Sequence, residues 1–306
     1  MPNSSLNALG RNTKMKLIKE STILRRMKPR LIKNLVFKCL FMAATIFALL
    51  VLGILLYRVI TQGIGYLDWQ FMQGLPSRNP EQAGVKTALI GTVWLMAVVA
   101  PVTLFFGVGT AIYLEEYAKK GKFTTFIQVN ISNLAGVPSI VFGLLGLTVF
   151  VRALSLGTSV IAAGLTMSLL VLPIIIVSSQ EAIRAVPKEL REASYGMGAT
   201  KWQTILRVVM PAAIPGILTG GILALSRAIG ETAPLVVLGL PLFLAFLPQS
   251  VFDMFTVLPM QIYNWTGRPQ EEFHAVAAAG IIVLLTLLII MNSVAVYIRN
   301  KFQKRY

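Results

Sequence analysis

The chain is short of charged residues, which make up only 13% of its 306 residues, whereas 56% are hydrophobic. A soluble protein of this length carries roughly a quarter charged residues. Water is therefore not the main solvent of this chain, and a soluble globular domain is excluded. The composition indicates an integral membrane protein.

Cysteine and histidine are almost absent. Because Cys39 is the only cysteine, no intrachain disulfide and no cysteine-based metal site can form. His274 is the only histidine, and its place beside two glutamates at the edge of an apolar stretch predicts an interfacial side chain. The sequence also lacks a G-x-x-x-x-G-K-[ST] phosphate-binding loop, so the chain cannot supply its own ATPase. No set of nucleophile, base and orienting residue is visible, and neither an enzyme activity nor a cofactor is predicted for this chain.

Acidic residues are few, with 12 against 28 lysines and arginines and a formal net charge of +16. Such an excess is also found in proteins that bind nucleic acid. Here, however, the basic residues stand between long apolar runs and form no polar domain of their own. We interpret them as signals of membrane topology, with lipid and not nucleic acid as the expected partner.

Long apolar runs are the main feature that the sequence does contain. About 20 apolar residues in a helix cross a bilayer core of about 30 Å. Six windows of this kind predict an all-α protein with six transmembrane helices, at about 39–60, 87–114, 126–151, 159–178, 212–240 and 274–298. The stretch 240–247 is apolar but too short to cross, and we expect it in an outer loop or a re-entrant turn.

The basic residues divide unequally between the two sets of loops that six spans create. Twenty-two lie on the side that holds both chain ends, and five lie in the loops on the other side. Because loops that stay in the cytoplasm retain positive charge, both termini are predicted to be cytoplasmic. Residues 1–38 then form a basic cytoplasmic extension, of which residues 1 to about 30 are disordered or lie along anionic lipid headgroups, and residues 299–306 form a basic cytoplasmic tail.

The cytoplasmic loop 179–211, between spans four and five, has helical order of its own. An apolar stripe recurs at spacings of four, three and four residues, which predicts a short amphipathic helix whose first turn holds Pro187. The stripe consists of Val186, Leu190, Ala193 and Met197. Gly196 and Gly198 are expected to end this helix, Thr200 to cap a second short helix, and Pro211 to close the unit. Basic amphipathic helices of this kind also rest on lipid surfaces, and this alternative stays open.

A motif within this loop resembles the EAA loop of ABC importer permeases. It consists of Glu192-Ala193-Ser194, three residues, Gly198, nine residues, and Val208-Val209-Met210-Pro211, with Ser194 in place of the second alanine. The resemblance implies a type I ABC importer permease fold, with the first short helix lying in a groove of a separate cytoplasmic ATPase subunit. Leu190, Ala193 and Met197 would pack in that groove, and Glu192 would pair with a basic residue at its rim.

Two ionisable residues lie well inside the fifth predicted span. Arg227 comes 15 residues after Ala212, about 22 Å along a helix and near mid-membrane, and Glu231 follows one turn later. Two interpretations stay open for these residues. One is an internal ion pair that pins helix packing. The other is a pathway site, in which Arg227 offers its planar set of donors to an oxyanion and Ser226 and Thr232 add hydrogen bonds.

Glycine and proline residues mark special positions in spans three and five. Gly216 and Gly220 form a GxxxG pattern that predicts close helix packing. Gly143 and Gly146 add small surfaces in span three, for which we expect the same role. Pro138 removes one backbone hydrogen bond within that span.

The sequence around the ion pair resembles one family more closely. The segment 226–234, with the sequence SRAIGETAP, is similar to the membrane subunits of phosphate ABC transporters, and its Thr-Ala-Pro ending favours the A-type permease, PstA. The segment 135–146 resembles the third span of that family, and the likeness covers about residues 70–298.

The resemblance implies a function and a set of partners. The function would be import of inorganic phosphate across a prokaryotic plasma membrane. The partners would be a second permease of the PstC type, a dimer of a PstB-type ATPase that binds ATP and Mg, and a PstS-type phosphate-binding protein. The alternative is an ABC permease for another oxyanion or a small polar solute. A membrane enzyme or a channel without an ATPase would leave residues 192–211 unexplained.

Overall fold

The structure is a computed structural model that describes residues 20–119 and 121–302, and the surroundings of side chains for 31–119 and 121–301. The described residues form twelve α-helices. They are α1 (Glu20–Gly63), α2 (Trp69–Gln73), α3 (Lys86–Ile112), α4 (Lys122–Leu134), α5 (Ser139–Gly146), α6 (Val160–Arg184), α7 (Lys188–Gly196), α8 (Lys201–Thr204), α9 (Met210–Gly230), α10 (Ala233–Leu238), α11 (Leu258–Thr266) and α12 (Glu272–Phe302). Short π-helical segments continue three of them, at Tyr113–Tyr117, Leu147–Ala153 and Ile205–Val209.

These elements confirm the predicted fold class. Five of the helical runs are long and apolar enough to cross a membrane, and a sixth crossing results if α4 and α5 with its π-helical extension together make one span. The described residues contain no strand, and their only bridge joins Ser159 and Met254. The orientation of the termini stays a prediction.

The chain divides into two compact units, one up to Arg58 and one from Val59 onward. In the first unit, the described side chains of 31–58 are exposed and largely apolar. Helix α1 begins at Glu20, well before the predicted span, so the extension is helical from residue 20 onward. The predictions for residues 1–19 and for the end of the tail, 303–306, lie outside the described residues.

Helix α6 is the centre of the second unit. Its most apolar window is 67% buried, compared with 39% for the span that contains α3 and 6% for α12. Glycines allow α9 to approach α6 closely, since a Cβ on Gly216 would meet Ala182 and a Cβ on Gly220 would meet Ser178. The close packing predicted from the GxxxG pattern is therefore confirmed, and α6 packs between α3 and α9.

The third predicted span, 126–151, is not one continuous helix. Helices α4 and α5 meet at an angle of 102°, and the break lies directly before Pro138. A proline ring clashes with the carbonyl four residues earlier, which here belongs to Leu134, the last residue of α4. The segment from Ser139 to Ala153 rises about 22 Å at 1.5 Å per residue, less than a bilayer core of about 30 Å. This segment is therefore too short to make a full crossing by itself, and α4 turns away from it by 102°.

The fifth predicted span, 212–240, has different limits. A helical run extends from Lys201 through α8, a π-helical segment and α9 to Gly230, where it ends, and α10 follows as a separate helix. The physical reason is Pro234, whose ring would clash with the carbonyl of Gly230 in a continuous helix. Pro211 lies in the first turn of α9 and does not close the preceding unit, which corrects the prediction.

The segment between α10 and α11 forms a compact cover over the end of the bundle opposite α7. Leu240 and Leu244 are buried there without regular structure, as expected for a loop too short to cross. Asp253 holds the loop by accepting hydrogen bonds from the backbone amides of residues 249 and 250, both at 2.8 Å. Helix α11, which the sequence did not predict, is fixed to α3 because the amide of Leu258 donates to Thr92 Oγ1 at 3.0 Å.

Candidate functional site

The unit formed by α7 and α8 protrudes at the end of the bundle where α3 and α6 terminate and α9 begins. Helix α7 starts directly after Pro187 and ends at Gly196. Gly198 then takes a φ of +82°, a left-handed conformation that glycine adopts without strain. Thr200 caps α8 with a capping box in which its backbone amide donates to Gln203 and its hydroxyl accepts from the amide of Gln203. The predicted turn and cap are both present.

The predicted apolar stripe of α7 divides between two surroundings. Val186 is buried and Leu190 packs beside it, against the cluster that includes Ala111 of α3. Ala193 is exposed, and Met197 is 88% exposed. The stripe is therefore not a single face, since its first half holds α7 to the bundle and its second half is free.

The exposed part of this unit has the composition of a docking surface. Glu192 is exposed beside Ala193 and Met197, and Trp202 on α8 is 57% exposed. Ser194 instead points inward, where its hydroxyl lies 2.9 Å from Thr204 Oγ1 and joins α7 to α8. The exposed surface of α7 thus combines small and apolar side chains with charged ones, since Lys188 and Glu189 are also exposed and Glu192 borders a cleft that Lys188 lines.

Arg227 and Glu231 lie where α9 ends. Arg227 is in the last turn of α9, and Glu231 has extended backbone, so the two residues are not on one continuous helix face as predicted. Arg227 Nε and Glu231 Oε2 are 3.9 Å apart, which is an ion pair but too long for a hydrogen bond. The side chain of Arg227 is 46% exposed, and that of Glu231 is 20% exposed. The guanidinium therefore keeps most of its donors available.

The surroundings of Arg227 follow from its neighbour in sequence. Ser226 Oγ lies 2.7 Å from Asn292 Oδ1 on α12, and 2.7 Å from the carbonyl of Ile222 in its own helix. Asn292 lies within the apolar stretch of α12, about 9 Å before that stretch ends at Ile298. Arg227 thus lies within a candidate span, beside the apolar stretch of α12, and its position at mid-membrane stays a prediction.

The four predicted pathway residues are not equivalent. The hydroxyl of Ser226 is engaged between α9 and α12, where it lies 2.7 Å from Asn292 Oδ1. Thr232 is half-buried at the start of α10 and lies next to Glu231 in the break between the two helices. Helix α10 packs closely on α5, since a Cβ on Gly143 would meet Pro234. Helices α5 and α10 are therefore closely packed on one side of the break, and Arg227, Glu231 and Thr232 lie in or next to the break.

Sequence reasoning missed a group of charges near α7. Glu115 and Glu116, in the π-helical turn after α3, form ion pairs with Arg184 and Arg191. These side chains line a cleft of about 820 Å³ between the turn and α7. The only signal in the sequence was a pair of adjacent glutamates in a loop that is otherwise basic.

Comparison with known proteins extends over nearly the whole chain. The family described as binding-protein-dependent transport system inner membrane component matches residues 103–304. The phosphate transport system permease protein PstA 1 of Mycobacterium tuberculosis (strain CDC 1551 / Oshkosh) is 34% identical, over 97% of this chain and 97% of that protein. The probable ABC transporter permease protein YqgI of Bacillus subtilis (strain 168) is 31% identical, over 86% of this chain and 94% of that protein.

A solved structure shows the same fold. A chain of a bacterial alginate ABC transporter, in complex with an alginate pentasaccharide-bound periplasmic protein, superposes with a TM-score of 0.63 at 14% identity. The match covers 91% of this chain and 99% of that chain. Together with the apolar helices, these matches make the chain a multi-pass protein of the plasma membrane. It belongs to the family of binding-protein-dependent transport system inner membrane components, among the PstA-like permeases.

Proposed function

We propose that this chain is the A-type membrane subunit of an ATP-driven phosphate importer. It forms the translocation pathway together with a second permease of the PstC type. The proposal is supported by the 34% identity, over 97% of both chains, to a protein named as a phosphate transport permease. A PstS-type binding protein delivers phosphate from outside, and a dimer of a PstB-type ATPase supplies the energy.

The observation that carries the phosphate assignment is the geometry of Arg227. A guanidinium binds a phosphate oxyanion through two parallel hydrogen bonds, and this one is half-exposed in the membrane-spanning region. Holding a charge there costs about 2.5–3.5 kcal/mol on insertion scales. The loose pair with Glu231 offsets part of that cost and also weakens anion binding, so that phosphate can leave again. Thr232 adds a hydroxyl at the same break.

The exposed surface of α7 is the docking site for the ATPase. Ala193 and Met197 provide apolar contact, and Glu192 pairs with a basic residue of the partner. ATP and Mg are bound by that partner and not by this chain. The α7 end of the bundle is then cytoplasmic, in agreement with the concentration of basic residues in the loops that meet there.

The function is tested by reconstitution. The chain is purified with its associated subunits and placed in proteoliposomes, and ATP hydrolysis is measured with phosphate-loaded, sulfate-loaded and empty binding protein. We expect phosphate-loaded protein alone to stimulate hydrolysis. Equal stimulation by the sulfate-loaded protein would favour a permease for another oxyanion, and the absence of any associated ATPase would refute the importer assignment.

Docking is tested separately by co-purification. Glu192→Lys reverses the charge of the exposed carboxylate and should remove the ATPase from the purified complex. Glu81→Lys, in the segment between α2 and α3, makes the same change at an exposed site away from the docking surface and should retain it. Equal retention of the ATPase by both variants would contradict the docking assignment.

A further inference from the structure

The end of α3 contacts the last turn of α6 and both helices of the docking unit, α7 and α8. Helix α3 continues into the π-helical turn Tyr113–Tyr117, in which the amide of residue 118 donates to the carbonyl of Tyr113 at 2.8 Å. Three consecutive residues of this segment meet three different elements. Glu115 pairs with the end of α6, Glu116 pairs with α7, and the ring of Tyr117 lies 4.8 Å from Lys201 Nζ of α8.

The two carboxylates are held more firmly than surface ion pairs. Glu115 Oε1 accepts from Arg184 Nη2 at 2.5 Å and from Gln180 Nε2 at 3.2 Å. Glu116 Oε1 lies 3.2 Å from Arg191 Nη2. Glu116 and Arg191 are only 10% and 18% exposed, so water screens this pair less than it screens exposed ones, whereas in the other pair Glu115 is 16% exposed and Arg184 is 54% exposed. The contacts therefore restrict relative movement of α3, α6 and α7.

Arg191 adds a third element to its pair with Glu116. Its Nη2 donates to the carbonyl of Ile183 at 2.8 Å, and its Nη1 donates to the carbonyl of Val186 at 3.1 Å. These carbonyls belong to the C-terminal turn of α6 and the residues that follow, where the helix leaves acceptors without partners. One side chain of α7 thus joins the ends of α3 and α6.

The three residues that make these contacts lie in a π-helical turn. In an α-helix, adjacent side chains diverge by about 100°, as follows from 3.6 residues per turn. A π-helical turn bonds residue i to i+5, adds one residue to the turn, and is frequent at functional sites. Here the π-helical turn at the end of α3 holds Glu115, Glu116 and Tyr117, whose side chains contact α6, α7 and α8 in that order.

We propose that Glu115 and Glu116 are positioning residues that fasten α3 to the end of α6 and to α7 of the ATPase-docking unit, so that α3 moves with α7 when the ATPase closes. This inference rests on the proposed function, because it requires an ATPase at α7. The loop 179–211 joins spans four and five directly, and the inference adds α3 to the helices that move with this loop. Helix α3 reaches the opposite end of the bundle, where Thr92 holds the start of α11. Movement of the docking unit would therefore be transmitted to the far end of the pathway.

The test uses the whole transporter in proteoliposomes, with the double variant Glu115→Gln and Glu116→Gln. Glutamine keeps the size of the side chain but removes its charge. The control is Glu181→Gln, which removes an ion pair of Arg184 at 2.8 Å that lies within α6 and joins no other element. The readouts are ATPase retention, the midpoint of thermal unfolding, and phosphate taken up per ATP hydrolysed.

We expect the double variant to retain the ATPase while its uptake per ATP falls by about fivefold or more, the lower range of typical allosteric coupling. The control should keep the ratio of the unaltered transporter. An unchanged ratio in the double variant would overturn the inference. The proposed function is tested separately with the unaltered transporter. If that transporter shows no phosphate-dependent ATP hydrolysis, the proposed function is wrong, whereas the inference about α3 depends on the ratio in the double variant.

A second measurement tests the inference if the double variant fails to assemble. Spin labels are attached to Lys119→Cys, exposed just after the π-helical turn, and Lys188→Cys, exposed at the start of α7, in a Cys39→Ser background that removes the only native thiol of this chain. The remainder of the transporter is unaltered. A fastened cleft keeps the interlabel distance constant between the nucleotide-free and ATP-bound states. A change in that distance would contradict the fastening.

Discussion

Replacement of Gly198 by alanine tests whether the turn between α7 and α8 depends on backbone conformation alone. Gly198 has a φ of +82°, and apart from its two neighbours in the chain no described residue has an atom within 4 Å of the position that a Cβ would occupy. Steric clash with the other described residues is therefore excluded. Left-handed conformation costs an alanine roughly 1–2 kcal/mol. An energy of that size changes a local equilibrium by a factor of about 5–30.

The control for this change is Gly196→Ala. Gly196 also has open space around its Cβ position, but it is the last residue of α7 and has no positive φ. Alanine there should stabilise the helix by up to about 1 kcal/mol. The assay is hydrogen exchange of the purified chain over residues 194–204, where the amide of Gly198 donates to the carbonyl of Tyr195. Gly198→Ala should exchange faster by about 5–30-fold, and Gly196→Ala should not. Equal exchange in the two variants would refute the argument from backbone strain.

Two further predictions concern packing in the bundle, and both are measured as the midpoint of thermal unfolding in detergent. Gly220→Leu should destabilise by about 1–3 kcal/mol or more, because its side chain must enter the contact with α6, whereas Gly109→Leu on the exposed face of α3 should have little effect. Thr92→Val leaves the buried amide of Leu258 without its acceptor, a loss of about 1–3 kcal/mol. Thr286→Val, where the hydroxyl bonds only within its own exposed helix turn, should be nearly neutral. Similar midpoints within either pair would contradict the packing described here.

Local signals in the sequence predicted the docking turn well. The conformations of Gly198 and Thr200 follow from short-range rules about left-handed glycine and N-capping, and both are present. Hydropathy placed the helices but not their directions. It counts apolar residues in a window, so it could not show that Pro138 turns the chain by 102°. For the same reason it extended the fifth span across Pro234, where α9 has already ended.

The contacts around the docking unit could not be predicted, because they depend on tertiary structure. Arg184 and Glu115 are 69 residues apart in sequence, and no local pattern indicates which basic residue the glutamate meets. The division of the apolar stripe on α7 has the same origin. Its spacing predicts a common helix face, but only the position of α3 and α6 decides that Leu190 is covered and Met197 is not. Likewise, Ser226 faces α12 because of the rotation of α9.

Uptake of radiolabelled phosphate by the Arg227→Ala transporter tests most directly whether Arg227 binds phosphate in the translocation pathway. The control is Arg299→Ala, which removes an arginine at the end of α12, outside the proposed pathway. Both variants are reconstituted with their partner subunits and loaded binding protein, and the amount of each chain in the vesicles is measured. We predict that Arg227→Ala is inserted and assembled but loses ATP-dependent uptake, whereas Arg299→Ala retains it. Uptake by Arg227→Ala at the rate of the unaltered transporter would contradict the account.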